Sequence, residues 1–86
     1  MDSLTKQTWI SRVRATADFH KEQLRQNPNH TYRDTALLLK RSYGRISEDI
    51  TLAEWLKTHA KQLERCKSIK EALEFVRMKK MEMRLR

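Results

Sequence analysis

Residues 31–56 read TYRDTALLLKRSYGRISEDITLAEWL, and the punctuation of this stretch decides the fold. Thr31 stands where a helix N-cap belongs, and Asp34 three residues later supplies a shorter version of the usual capping-box glutamate. The run that follows predicts a short helix, interrupted at Ser42-Tyr43-Gly44. Gly44 is the only glycine in the chain, and a lone glycine at an interruption predicts a backbone conformation that other residues resist. A second helix is expected from about Arg45 to His59. Ile46, Ile50, Ala53 and Leu56 should face inward, with Leu52 and Trp55 on an adjoining flank.

Outward from this segment the spacing stays helical. Upstream, Trp9, Val13, Ala17, His20 and Leu24 recur at steps of four, four, three and four, the stripe of an amphipathic helix. Ser3 or Thr5 is a candidate cap, and Asn27-Pro28-Asn29 marks the stop, so this helix is expected over roughly residues 4–26. Downstream, AKQLERCK (60–67) reads as a connector of partial helical character. Ser68 and Glu71 then form a capping box that opens a last helix, with Ile69, Ala72, Leu73 and Val76 on one side. One glycine and no sustained alternation argue against a sheet. The expected fold is all-α: a single four-helix domain over residues 1–86.

Two short helices around a tight turn have the layout of a helix-turn-helix, here over residues 31–57. Ala36 would be the small residue at the helix crossing. Leu39 and Ile46 would bridge the angle, with Ile50 continuing the buried side, and Ser42 would satisfy backbone groups freed at the first helix end. The outward face of the second helix would then present Tyr43, Ser47, Glu48 and Thr51 to base edges in a major groove.

The run 31–56 resembles the helix-turn-helix of phage and plasmid DNA-binding proteins, including ParB-type partition proteins and related repressors. Arg33, Asp34, Thr35, Ala36, Ser42, Gly44, Ile46, Ser47, Asp49 and Ile50 carry the likeness, which covers about residues 30–76. The pattern has a glycine and an apolar residue before the turn serine, whereas this chain has Lys40 and Arg41, so an altered turn is expected. The resemblance implies a regulator of transcription or replication in a phage, plasmid or bacterium.

Composition supports a polyanionic partner. The 86 residues carry 19 Lys and Arg against 11 Asp and Glu, a formal charge of +8. The excess is concentrated late: residues 61–86 hold nine basic and four acidic side chains, and the basic tail spans 77–86. A chain this short has a thin core, which disfavours a deep catalytic cavity. No phosphate-binding glycine loop, dinucleotide fingerprint or nucleophile–base set is present. His20, His30 and His59, with Cys66 alone, give no metal spacing, so neither metal nor cofactor is expected. The start, MDSLTKQTWI, does not resemble a signal peptide, and no stretch approaches a membrane span. With a single cysteine, the expectation is a soluble, cytoplasmic, nucleoid-associated protein without enzymatic activity.

The expected roles follow from these readings. Tyr43, Ser47, Glu48 and Thr51 are candidates for DNA base contacts. Thr31, Tyr32, Arg33, Lys40, Arg41, Ser42, Arg45, Lys79 and Lys80 are candidates for DNA phosphate contacts. Asp49 is expected to pair within the domain, with Arg33 or Arg45. Trp9 and Trp55 read as core or interface aromatics. Cys66, beside Arg65 and Lys67, is either a thiol of lowered pKa or, more simply, a structural one. Arg77, Lys79, Lys80, Arg84 and Arg86 could lie along phosphates, while Met78, Met81, Met83 and Leu85 could instead make a membrane or partner face. The expected partners are double-stranded DNA and a second copy of the chain in a homodimer. The alternatives are an adaptor or inhibitor that binds a host protein through its helices, and, third, RNA binding.

Overall fold

Helix caps and one proline set the boundaries in the computed structural model, which describes residues 8–84. Helix α1 runs Thr8–Gln26, α2 Tyr32–Leu39, α3 Tyr43–Glu64 and α4 Ile69–Arg84, with no strand among the described residues. The all-α expectation with four helices holds among the described residues. The proposed caps Ser3 and Thr5, and the tail residues Leu85 and Arg86, lie outside the described residues.

Helix α1 stops at Gln26 because Pro28 has no N–H to continue the ladder. The chain turns there on the Asn27 side chain, which accepts the Asn29 N–H at 3.1 Å. The reciprocal capping box at Thr31 forms as expected. The Asp34 N–H donates to Thr31 Oγ1 at 3.2 Å, and the Thr31 N–H donates to Asp34 Oδ2 at 3.0 Å.

The bend between α2 and α3 is made differently from the expectation. It occupies Lys40, Arg41 and Ser42, and its left-handed residue is Lys40, at φ 56° and ψ 45°. The Lys40 N–H donates to the Leu37 carbonyl at 3.3 Å and the Arg41 N–H to the Ala36 carbonyl at 3.0 Å, the paired bonds of a Schellman ending. Ser42 then caps α3, its Oγ accepting the Arg45 N–H at 3.3 Å. Gly44 therefore does not make the bend: it lies inside the first turn of α3 and has no positive φ. The turn is carried by the position at which the resembled pattern has its own glycine.

Helix α3 is longer than expected. At His59 the backbone leaves helical geometry (φ −125°, ψ 36°), which is where the sequence reading ended the helix, but the helix resumes and continues to Glu64. Most of the expected connector is thus helical. The last helix opens on Ser68, whose Oγ accepts the Glu71 N–H at 3.3 Å, while Glu71 Oε1 accepts the N–H of Lys67.

The main core gathers Trp9, Ile10 and Val13 from α1, Leu52, Leu56 and Leu63 from α3, and Ala72 and Val76 from α4. The Trp9 indole N–H is satisfied by the Cys66 carbonyl at 2.9 Å, which ties the α3–α4 connection to α1. The inward face of α3 is rotated from the expected one. Asp49 and Leu52 are fully buried with Ile46, while Ile50 and Ala53 are only half-buried and line a groove beside α1. Ala36 is buried, as a residue at a helix crossing should be, and Leu39 is half-buried. Ala36 and Ile46 stand apart from the main cluster, so the α2 end of the molecule has little apolar core of its own.

Candidate nucleic-acid interface

The start of α3 is held by a buried ionic contact. Asp49, 1% exposed, accepts from Arg41 Nη1 at 2.7 Å and from the Thr16 hydroxyl at 2.9 Å, and Arg41 Nη1 also reaches Thr16 Oγ1 at 3.1 Å. One side chain from the α2–α3 turn, one from α3 and one from α1 thus close on a single point. The expected partner of Asp49 was Arg33 or Arg45, and the structure replaces both with Arg41. Arg41, expected on phosphate, is turned inward. A carboxylate nearly two helical turns into α3 is met by the Arg41 guanidinium folding back from the turn, whereas Arg45, on the same helix, is exposed.

A second polar contact joins α1 to α2. His20 Nδ1 and His30 Nε2 each lie 2.7 Å from the buried Thr35 hydroxyl. Asp34 Oδ2 lies 3.9 Å from the other ring nitrogen of His30. The Tyr32 ring meets His20 edge-on at 4.8 Å. Burial pushes the His20 pKa below its ordinary value, and neighbouring His30 adds to the effect. Sequence reading placed His20 on the apolar stripe of the first helix and otherwise weighed the histidines only as metal ligands. It missed their convergence on Thr35, which depends on tertiary placement that no spacing encodes. Among the described residues no cluster of three or more metal-ligating side chains forms.

With Asp49 neutralised by Arg41, the surface around the start of α3 carries three exposed cations against the carboxylates of Asp34, held in its cap, and Glu48. Arg33, Lys40 and Arg45 are exposed, and none takes part in an ion pair among the described residues. Tyr43 is 53% exposed, with the Arg33 guanidinium 6.0 Å from its ring centre and Tyr32 beside it at 6.1 Å. Tyr32 itself is half-buried, and the oxygens of Thr31 and Ser42 accept the capping N–H groups described above. A Cβ at Gly44 would meet nothing within 4 Å, so the space over the first turn of α3 is open.

Further along α3, Glu48 is exposed, while Ser47 and Thr51 are half-buried. Helix α4 returns along this part of α3, and a groove of about 270 Å³ separates them, with Ser47, Glu48 and Thr51 on one wall and Arg77 and Lys80 on the other. Lys79 faces elsewhere. It pairs with Glu82 at 3.5 Å and lies 5.8 Å from the Phe75 ring. The structure therefore separates Lys79 from Lys80, which the sequence reading had grouped.

Two smaller expectations also resolve. Trp9 is buried in the core and Trp55 packs half-buried against it. Burial, with Glu71 as a second cause, pushes the Cys66 thiol up, so the lowered pKa read from Arg65 and Lys67 does not occur and the structural reading stands. No described helix is long and apolar enough to cross a membrane. No family model, no curated protein and no solved structure matches this chain.

Proposed function

We propose that the protein binds double-stranded DNA through α2, the turn and α3 used as a helix-turn-helix, without catalysing a reaction. The observation that carries this reading is the imbalance of charge at the start of α3. Asp49 is neutralised by Arg41 and Asp34 is held in its cap, and against the exposed carboxylate of Glu48 stand Arg33, Lys40 and Arg45, exposed and unpaired among the described residues. Such an end attracts phosphates, and the bare first turn at Gly44 gives a DNA backbone room to approach closely. In this reading Tyr43 and Glu48 reach base edges first, and Ser47 and Thr51 do so from a partly covered face. Thr31, Tyr32 and Ser42 contribute backbone N–H groups and caps near the phosphate path. A regulatory role in a phage, plasmid or bacterium, and a symmetric pair of copies on a two-fold site, complete the proposal.

A second reading is favoured by one observation. Leu37 and Leu38 on α2 are 77% and 57% exposed, as expected of an adaptor that docks on another protein. Titration of a random duplex against salt separates the two. DNA binding predicts measurable affinity at low salt that falls steeply as salt rises, and Arg33→Gln with Arg45→Gln should reduce the log–log slope by about 2. Absence of duplex binding by the folded protein at low salt would leave the adaptor reading in its place. Selection of duplexes from a random pool would then show by its symmetry whether two copies bind together.

A further inference from the structure

Arg77 and Lys80 are three residues apart on α4, so their side chains leave the same side of the helix. Both line the groove against α3, and neither takes part in an ion pair among the described residues. Across from them stand the hydroxyls of Ser47 and Thr51, with Leu73 and Val76 forming an apolar floor. Two free cations facing two hydroxyl donors match the sugar–phosphate backbone. Cations neutralise the phosphate charge, the hydroxyls bond its oxygens, and the apolar floor accepts the sugar edge. Ser47 is one helical turn, about 5.4 Å, beyond the exposed Tyr43, so this groove continues the basic surface at the start of α3.

We propose that the α3–α4 groove is a second phosphate-binding site, in which Arg77 and Lys80 hold a backbone strand of the same duplex that meets the start of α3. This rests on the DNA-binding reading above. It assigns α4 a direct part in binding that the helix-turn-helix alone does not need. It also turns the Ser47 and Thr51 hydroxyls from base edges to phosphate and changes the role of Glu48. That carboxylate shares the groove with Arg77 and Lys80, so it opposes an incoming phosphate and limits affinity.

The test is fluorescence anisotropy of a labelled random duplex with the full chain over a range of salt. The variants are Arg77→Gln/Lys80→Gln, Glu48→Gln and Lys79→Gln, each confirmed as folded by circular dichroism. The double variant should lower the log–log salt slope by about 2. Glu48→Gln should tighten binding at low salt by about threefold, the consequence of removing one like charge. Lys79→Gln, whose cation faces Glu82 and Phe75, should leave the slope within about 0.5 of the wild type. If the wild type binds and the double variant keeps its full slope, the groove assignment is overturned while the DNA reading stands. Weaker binding by Glu48→Gln would overturn it too, because the carboxylate would then be accepting from a base. If the wild type binds no duplex at low salt, both the DNA reading and this site fall together.

Discussion

The two ends of the molecule are held together by different physics. At one end Trp9, Val13, Leu63, Ala72 and Val76 make a continuous apolar core among α1, α3 and α4. At the other, where α2 and the turn join α1 and α3, the buried side chains include Thr16, His20, Thr35 and Asp49, with only Ala36 and Ile46 as buried apolar partners. An apolar core is tolerant of orientation, because dispersion and burial carry no direction. A buried carboxylate or hydroxyl is not, since each bond it needs must be made. The polar end therefore fixes one geometry for the start of α3, the part of the molecule that the proposed function places against DNA.

The largest expected effects come from cutting each end once. Arg41→Ala leaves Asp49 buried with only the Thr16 hydroxyl, and should cost about 3 kcal/mol, the low end of the range for breaking a buried pair because Arg41 is partly exposed. Leu63→Ala should cost a similar amount, about 3 kcal/mol, by opening a cavity. Denaturant midpoints measure both, and the contrast appears on rescue. Arg41→Met with Asp49→Leu removes both charges and should recover most of the loss, whereas Leu63→Ala can be repaired only by refilling its volume. A loss below about 1 kcal/mol for Arg41→Ala would mean that the pair behaves like a surface contact, and the comparison of the two ends would break.

This division also explains what could be read from the sequence. The Thr31 cap, the Pro28 stop and the Ser68 start follow from local chemistry, and each forms within a residue or two of its expected place. Periodicity located α1 and α4 for the same reason. The inward face of α3 was legible only in part, because the stripe was assembled from apolar residues and an aspartate does not register as core. Asp49 was expected to pair within the domain but was left out of the inward stripe, which took Ile50 instead. The Arg41–Asp49–Thr16 contact joins positions 25 and 33 residues apart, and the Thr35 contact to His20 spans 15. Such distances leave no trace in spacing. The kink at His59 was visible as a boundary but mistaken for an end.

Acid should sharpen the same contrast with a smaller effect, since one group moves stability by about 1.4 kcal/mol per unit of pKa difference. The folded-state pKa of His20 lies below the ordinary 6.5, so the unfolded chain binds the proton more readily. Stability should therefore fall as pH drops below about 6.5 and level off beneath the lowered value. The groups facing this ring are His30, Thr35 and Tyr32. Asp34 is held down by the Thr31 backbone N–H, so its own contribution is lost only as pH falls below 3.8, under the pH at which the histidine effect begins. His20→Gln should flatten the dependence of the melting midpoint just below pH 6.5, while Leu63→Ala should leave it unchanged. A wild-type profile already flat there would mean that burial does not hold His20 neutral in the polar end.

The smallest effect tests the turn itself. Lys40 holds a left-handed backbone that costs a residue with a Cβ roughly 1 kcal/mol, while Gly44 occupies a helical position that does not require glycine. Lys40→Gly and Gly44→Ala should each stabilise the fold, by about 0.5–1 kcal/mol and no more than that respectively. They should differ in DNA binding. Lys40→Gly removes one cation and should lower the salt slope by about 1. Gly44→Ala leaves every charge in place, so any loss of affinity reports a partner close to the backbone. A Cβ there meets nothing within the protein, so a variant that melts higher yet binds duplex more weakly has lost its fit to something outside the chain. Equal binding by Gly44→Ala and the wild type would move the proposed contact away from the first turn of α3 and leave the flanking arginines as its main support.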